Sequence, residues 1–167
     1  MKGVINIEFF VSVAIFLSTI FFIIMSIVNS IPQFHNEAVL SSLRAKTFGV
    51  SQILLLDEGS PRNWQTIPLE AVNRFGFSTS QKYVVSQTKI DRLTVLCTSG
   101  NYPAIRNILV GDPNIIVTIN VTDLETGTQY LYCSPTAATL VFPKSSIKRY
   151  AVLDTNGNRV SIQVDVT

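Results

Sequence analysis

Histidine occurs once in the 167 residues, at His35, and that scarcity excludes a multi-histidine metal centre and histidine acid–base catalysis. Cysteine occurs twice, at Cys97 and Cys133, without the close paired spacing of a zinc site or a redox motif. Two readings remain: one structural disulfide outside the cell, or two buried free thiols. Charged side chains make up only 14% of the chain, with 13 basic against 11 acidic residues and no run of either sign. That balance leaves no electrostatic footprint for nucleic acid, and Lys89, Arg92 and Arg106, which fall in one helical region, are too few to make one. A glycine-rich phosphate loop, a nucleophile elbow and carboxylates paired at motif spacing are all missing. Asp112, Asp123, Glu125, Asp154 and Asp165 lack the spacing of a calcium loop and read as solubilising loop and strand residues. The expectation is a protein with no catalytic residue, no metal and no cofactor.

Charge is missing altogether between Phe9 and Asn36, and this is where the apolar excess of the chain is concentrated. The run VINIEFFVSVAIFLSTIFFIIMSIV, from Val4 to Val28, is long enough as a helix to cross about 30 Å of hydrocarbon. A secretory peptide would have a shorter apolar core followed by a small-residue cleavage site, and this run has neither. Its one ionisable side chain is Glu8. A carboxylate in hydrocarbon costs a few kcal/mol or more, so it must lose its charge, reach an interface or find a cation. Cleavage after Gly3 would supply that cation, because the new ammonium at Val4 can pair with Glu8 of a neighbouring helix displaced along its axis.

The opening MKGVINIEF resembles the class III signal peptide of type IV prepilins, with Lys2-Gly3 at the cut and Glu8 as the fifth mature residue. The short leader and the pattern around Glu8 are most similar to archaeal type IV pilins. The resemblance implies a leader of residues 1–3, processing between Gly3 and Val4, and an assembly role for Glu8. It implies as partners a prepilin peptidase, the lipid bilayer before assembly, a membrane platform with its ATPase, and other pilin subunits in a filament. The presence of Glu8 points to an adhesion pilus rather than a swimming filament. A minor pilin or pseudopilin is an alternative within the family. Outside it, the alternative is an uncleaved signal anchor carrying an extracellular binding domain, with Lys2 on the cytoplasmic side.

Beyond Ser30, apolar residues at Phe34, Ala38, Val39, Leu43, Phe48, Ile53 and Leu54 continue an imperfect helical period, so a filament helix is expected over 4–56. Pro32 is expected to kink or briefly interrupt it, and His35 to lie on a solvated helix face. Asp57-Glu58-Gly59-Ser60-Pro61 stops the helix, which assigns 57–167 to an extracellular head. The element GSPRNW, with Gly59, Pro61 and Trp64, is similar to one in archaeal pilin-like proteins of this size and reads as a tight turn with Trp64 on the core. So is YVVSQTKIDRL…NYPAIRNIL, which extends the similarity over about two thirds of the chain.

The head reads as α+β. A short hairpin is expected from Phe75–Phe77 and Tyr83–Val85, then a helix capped by Ser86 and a second helix from Tyr102 to Leu109, both covering one face of a sheet. From Asn114 the period changes to two, through IIVTINV, QYLYC, SIKRYAVL and RVSIQVDV, which predicts an antiparallel sheet. Asn156-Gly157 is a hairpin signal of the type I′ kind. Asn120-Val121-Thr122 is the one N-x-S/T sequon and makes Asn120 a glycosylation candidate near a strand end, with an unmodified asparagine as the alternative.

Overall fold

The computed structural model describes residues 7–135 and 144–167, with the side chains of 30–36 left aside. Gly3, Val4, the side chain of His35 and the segment Ala137 to Phe142 lie outside the described residues. The architecture is α+β, with a long N-terminal apolar helix, further helices and a five-stranded curled sheet. Packing divides the chain into two units, Met1–Val39 and Leu40–Thr167.

Helix α1 spans Ile7–Leu56; in the first unit its segment Ile7–Asn29 is long and apolar enough to cross a membrane, and none of that segment is buried. The backbone stays helical through Pro32, so of the kink or interruption expected there the interruption does not occur. A proline removes one donor, and the ladder bonds on either side carry the turn.

In the second unit, the last turns of α1 bury Leu43, Thr47, Val50, Ser51, Leu54 and Leu55, one stripe at helical spacing. The stripe differs from the one read by apolarity alone: Phe48 is 46% exposed, while Thr47 and Ser51 are buried. Both hydroxyls bond back into the helix, Thr47 Oγ1 to the Leu43 carbonyl at 2.7 Å and Ser51 Oγ to the Phe48 carbonyl at 2.9 Å. Small polar residues satisfied in this way pack as closely as alanine.

The helix stops at Leu56, and three residues on Gly59 takes a φ of +87° in the turn that follows, its N–H donating to Asp57 Oδ1 at 2.8 Å. Trp64 is fully buried beyond it, edge-on to Phe75 at 5.0 Å, with Nε1 donating to the Gly76 carbonyl at 3.0 Å. Helices α2 (Gln87–Thr98) and α3 (Tyr102–Val110) follow. Ser86 holds the N-cap position of α2 without a side-chain capping bond, and the Asp154 carboxylate takes the Gln87 N–H at 3.0 Å instead. Tyr102 fastens α3 to the sheet by its hydroxyl, which donates to the Val117 carbonyl and accepts the Val117 N–H, both at 3.0 Å.

Strands β1 (Val84–Val85), β2 (Val117–Asp123), β3 (Gln129–Cys133), β4 (Ser145–Leu153) and β5 (Arg159–Val166) are ordered β1-β4-β5-β2-β3. The sheet is mixed where an antiparallel one was expected, because β1 runs parallel to the end of β4. The hairpin expected around residues 75–85 is reduced to one bridge between Ser78 and Val85, since Val84 and Val85 are recruited into the main sheet. The β4–β5 turn forms at Asn156-Gly157, but among the described non-glycine residues only Tyr83 has a positive φ. Asn156 therefore does not adopt the left-handed conformation of a type I′ turn, and Gly157, at φ +73°, closes a longer turn by donating to the Leu153 carbonyl.

Gly76 packs so tightly that a Cβ there would stand 2.2 Å from the Asp57 carbonyl oxygen, a backbone atom that cannot rotate away. Gly76→Ala is expected to lower the unfolding free energy by about 1–3 kcal/mol. Urea unfolding followed by the fluorescence of the single tryptophan, which sits against this contact, measures the loss.

Candidate functional site

Polar atoms are few in the exposed apolar helix, and the helix absorbs most of them. Ser12, Ser18 and Thr19 donate to the carbonyls of Glu8, Ala14 and Ile15 at 2.7–2.8 Å, leaving no hydroxyl proton facing outward at these positions. In hydrocarbon, where water cannot serve as partner, this back-bonding makes such residues tolerable. Glu8 is the exception. Its side chain is exposed in the first described turn, and among the described residues none forms an ion pair with it. Within Ile7–Asn29 it is the one ionisable side chain.

Cys97 and Cys133 are joined as a disulfide, with Cα atoms 5.7 Å apart, linking the end of α2 to the end of β3. The two thiols are therefore bonded rather than free. Asn120 lies in the middle of β2, paired on both sides, rather than near a strand end. Its side chain faces the open side of the sheet, where Oδ1 accepts from Gln129 Nε2 at 2.9 Å.

The acidic residues read as solubilisers do other work. Asp123 is buried, and its carboxylate accepts four hydrogen bonds: the N–H groups of Glu125 at 2.7 Å and Thr126 at 3.0 Å, Asn158 Nδ2 at 2.8 Å and the Tyr130 hydroxyl at 2.9 Å. It ties the β2–β3 turn to the β4–β5 turn. The Thr126 N–H, then Asn158 and the Glu125 N–H, hold its carboxyl far below the usual carboxylate range against the opposing effect of burial. The same carboxylate pushes the Tyr130 hydroxyl up. Asp112 pairs with Lys46 at 3.1 Å, and its carboxyl is lowered first by the Asn114 N–H and then by that lysine. At Asp165, burial alone would raise the carboxyl, but Ser146, Lys144 and Gln163 together outweigh it and hold it low. Sequence spacing missed these roles because the donors arrive from other elements.

The three basic residues of the helical layer form no exposed cationic face. Lys89 is 6% exposed, and its ammonium donates to the carbonyls of Glu58 at 2.7 Å and Ser78 at 2.9 Å. Burial lowers its pKa against the pull of Glu58 and Asp57. Arg92 reaches the Ile67 carbonyl at 3.4 Å, and Arg106 is half-buried. Among the described residues no group of three or more histidine, cysteine or acidic side chains is placed to hold a metal.

Compared with protein families, curated proteins and solved structures, the chain matches none of them. The chain itself supplies two features, an apolar segment with Glu8 as its one acid and a cross-braced α+β unit.

Because the folded Asp123 carboxyl titrates well below its unfolded value of about 3.9, its contribution to stability is complete above that pH and lost as the pH falls through the folded value. Asp123→Asn is expected to lower the melting temperature at pH 7 and to flatten the loss of stability below about pH 4. Thermal melts followed by far-UV circular dichroism between neutral and acid pH test this, and parallel acid profiles for the two proteins would refute it.

Proposed function

We propose that the chain is a type IV pilin-like subunit, processed after Gly3, held in the cell membrane by its N-terminal helix and assembled through that helix into a surface filament for adhesion. The observation that carries this reading is Glu8, the one ionisable side chain of the apolar, unburied segment Ile7–Asn29, without an ion pair among the described residues. Within a bilayer such a carboxylate is costly, and within a bundle of like helices it is an address. Processing after Gly3 places an ammonium at Val4, and the Glu8 of an adjacent subunit supplies its counter-ion. That pairing fixes the axial stagger between subunits, while the remaining apolar surface exchanges lipid for neighbouring helices.

A head outside the cell accords with the Cys97–Cys133 disulfide, since such bonds persist in oxidising surroundings. In this reading the partners are a prepilin peptidase, the bilayer, an ATPase-driven assembly platform and further subunits, and the role is structural rather than catalytic.

Intact mass of the membrane-expressed protein, with and without a co-expressed archaeal prepilin peptidase, is the first test. Loss of Met1-Lys2-Gly3 is the expected result. A leader that persists beside an active peptidase would make the chain a membrane-anchored extracellular domain instead. In a filament-forming host, Glu8→Gln is expected to be processed normally while incorporation into sheared filaments falls about tenfold or more, the effect of losing about 1.4 kcal/mol per contact. Wild-type incorporation by that variant would remove Glu8 from the mechanism.

A further inference from the structure

The two edges of the sheet are unlike. The β3 edge is engaged by α2, through Thr94 Oγ1 on the Tyr130 carbonyl at 3.1 Å and through the disulfide at Cys133. On the other edge, β1 covers only Val152 and Leu153 of the nine-residue β4. The Val152 N–H points away from β5, to the Tyr83 carbonyl at 2.9 Å, while Leu153 bonds on the β5 side. By the alternation of an antiparallel ladder, the N–H and C=O groups of Ser146, Lys148 and Tyr150 also point to the outer edge. Among the described residues none of the three has a backbone partner on that side.

The described chain before β1 turns away from the lane beside these residues. Tyr83, with φ +63°, turns the backbone aside directly before β1, and the preceding residues fold back into the bridge between Ser78 and Val85. Along the same edge runs a groove of about 720 Å³ between the head portion of α1 and the start of β4, lined by Leu40, Ala45, Phe48 and Ile147 among others. Its charge has one sign. Arg44, Lys148 and Arg149 have no ion pair among the described residues, while Lys144 is already committed to Asp165 at 2.9 Å. The Arg149 guanidinium lies 5.0 Å over the Phe48 ring, and its Nε has no hydrogen-bond partner.

We infer that the free edge of β4 is a docking site for an extended, acidic polypeptide segment of another protein, which adds as a strand beside Ser146, Lys148 and Tyr150. Backbone bonds to these three residues supply affinity without regard to sequence. On the added strand, apolar side chains facing Phe48 and Ile147 alternate with carboxylates facing Lys148 on the other face of the sheet, and the two together supply selection. A second copy of this chain is a poor occupant because its own strands carry few acids: β5, for instance, contains Asp165 alone, already paired. The inference concerns the Leu40–Thr167 unit and stands apart from the reading of Glu8.

The test uses the full chain in detergent micelles and a fluorescent peptide alternating valine with glutamate, with binding read by anisotropy. Saturable binding is expected, together with slowed hydrogen exchange at the amides of Ser146, Lys148 and Tyr150 and little change at Ile147 and Arg149. Lys148→Glu, an exposed and unpaired position that leaves the fold intact, is expected to weaken binding at least about tenfold. N-methylation of alternate peptide amides is expected to abolish it. No binding, or binding indifferent to both changes, overturns the inference. Concentration-dependent self-association that protects the same three amides without peptide also overturns it, in favour of a second copy.

Discussion

A single buried stripe on α1, from Leu43 to Leu55, is the constraint on which the head depends. Each large apolar side chain withdrawn from water there contributes about 1.5–3 kcal/mol, and the head's loops hang on the backbone that follows. Phe77 donates its N–H to the Leu54 carbonyl at 2.8 Å, Ser78 to the Asp57 carbonyl at 3.0 Å, and Lys89 reaches the Glu58 carbonyl. Gly76 lies where only a glycine fits against Asp57, and Trp64 closes over it. The end of α1 is thus both a core element and the template on which the first loop of the head is laid.

The head's buried charges follow one rule: each is surrounded by partners fixed elsewhere in the fold. Asp123 collects four donors from two turns, and Lys89 uses two backbone carbonyls in place of an acid. A buried charge left without such partners would cost several kcal/mol, so these residues act as cross-braces that hold only when the turns and α2 are all in place. Glu8 is the reverse case. No described side chain answers it, and its meaning lies in what surrounds the helix rather than in the fold of the chain.

The same contrast separates the two sheet edges. An edge strand in water offers unpaired backbone groups, and proteins usually cover or charge such an edge. Here β3 is covered by α2, whereas β4 carries Lys148 and Arg149 along a lane that no described strand covers. Cations deter indiscriminate pairing with apolar strands while leaving the edge open to an acidic one.

Local pattern was enough to locate most elements. The period of two in IIVTINV and RVSIQVDV, the helical spacing of Ile90, Leu93 and Leu96, and the turn residues at Gly59 and Asn156-Gly157 each fall where the structure has a strand, a helix or a turn. The α+β class and the apolar N-terminal helix were legible for the same reason: periodicity and length are properties of neighbouring residues. What only the tertiary structure decided are the pairings between distant ones. Sequence left the thiols of Cys97 and Cys133 open, read Asp123 and Asp154 as solubilisers, and had no means to see that β1 joins β4 in parallel. A carboxylate's role depends on which donors surround it, and a strand's partner on which edge is free. Neither exists until the chain has folded.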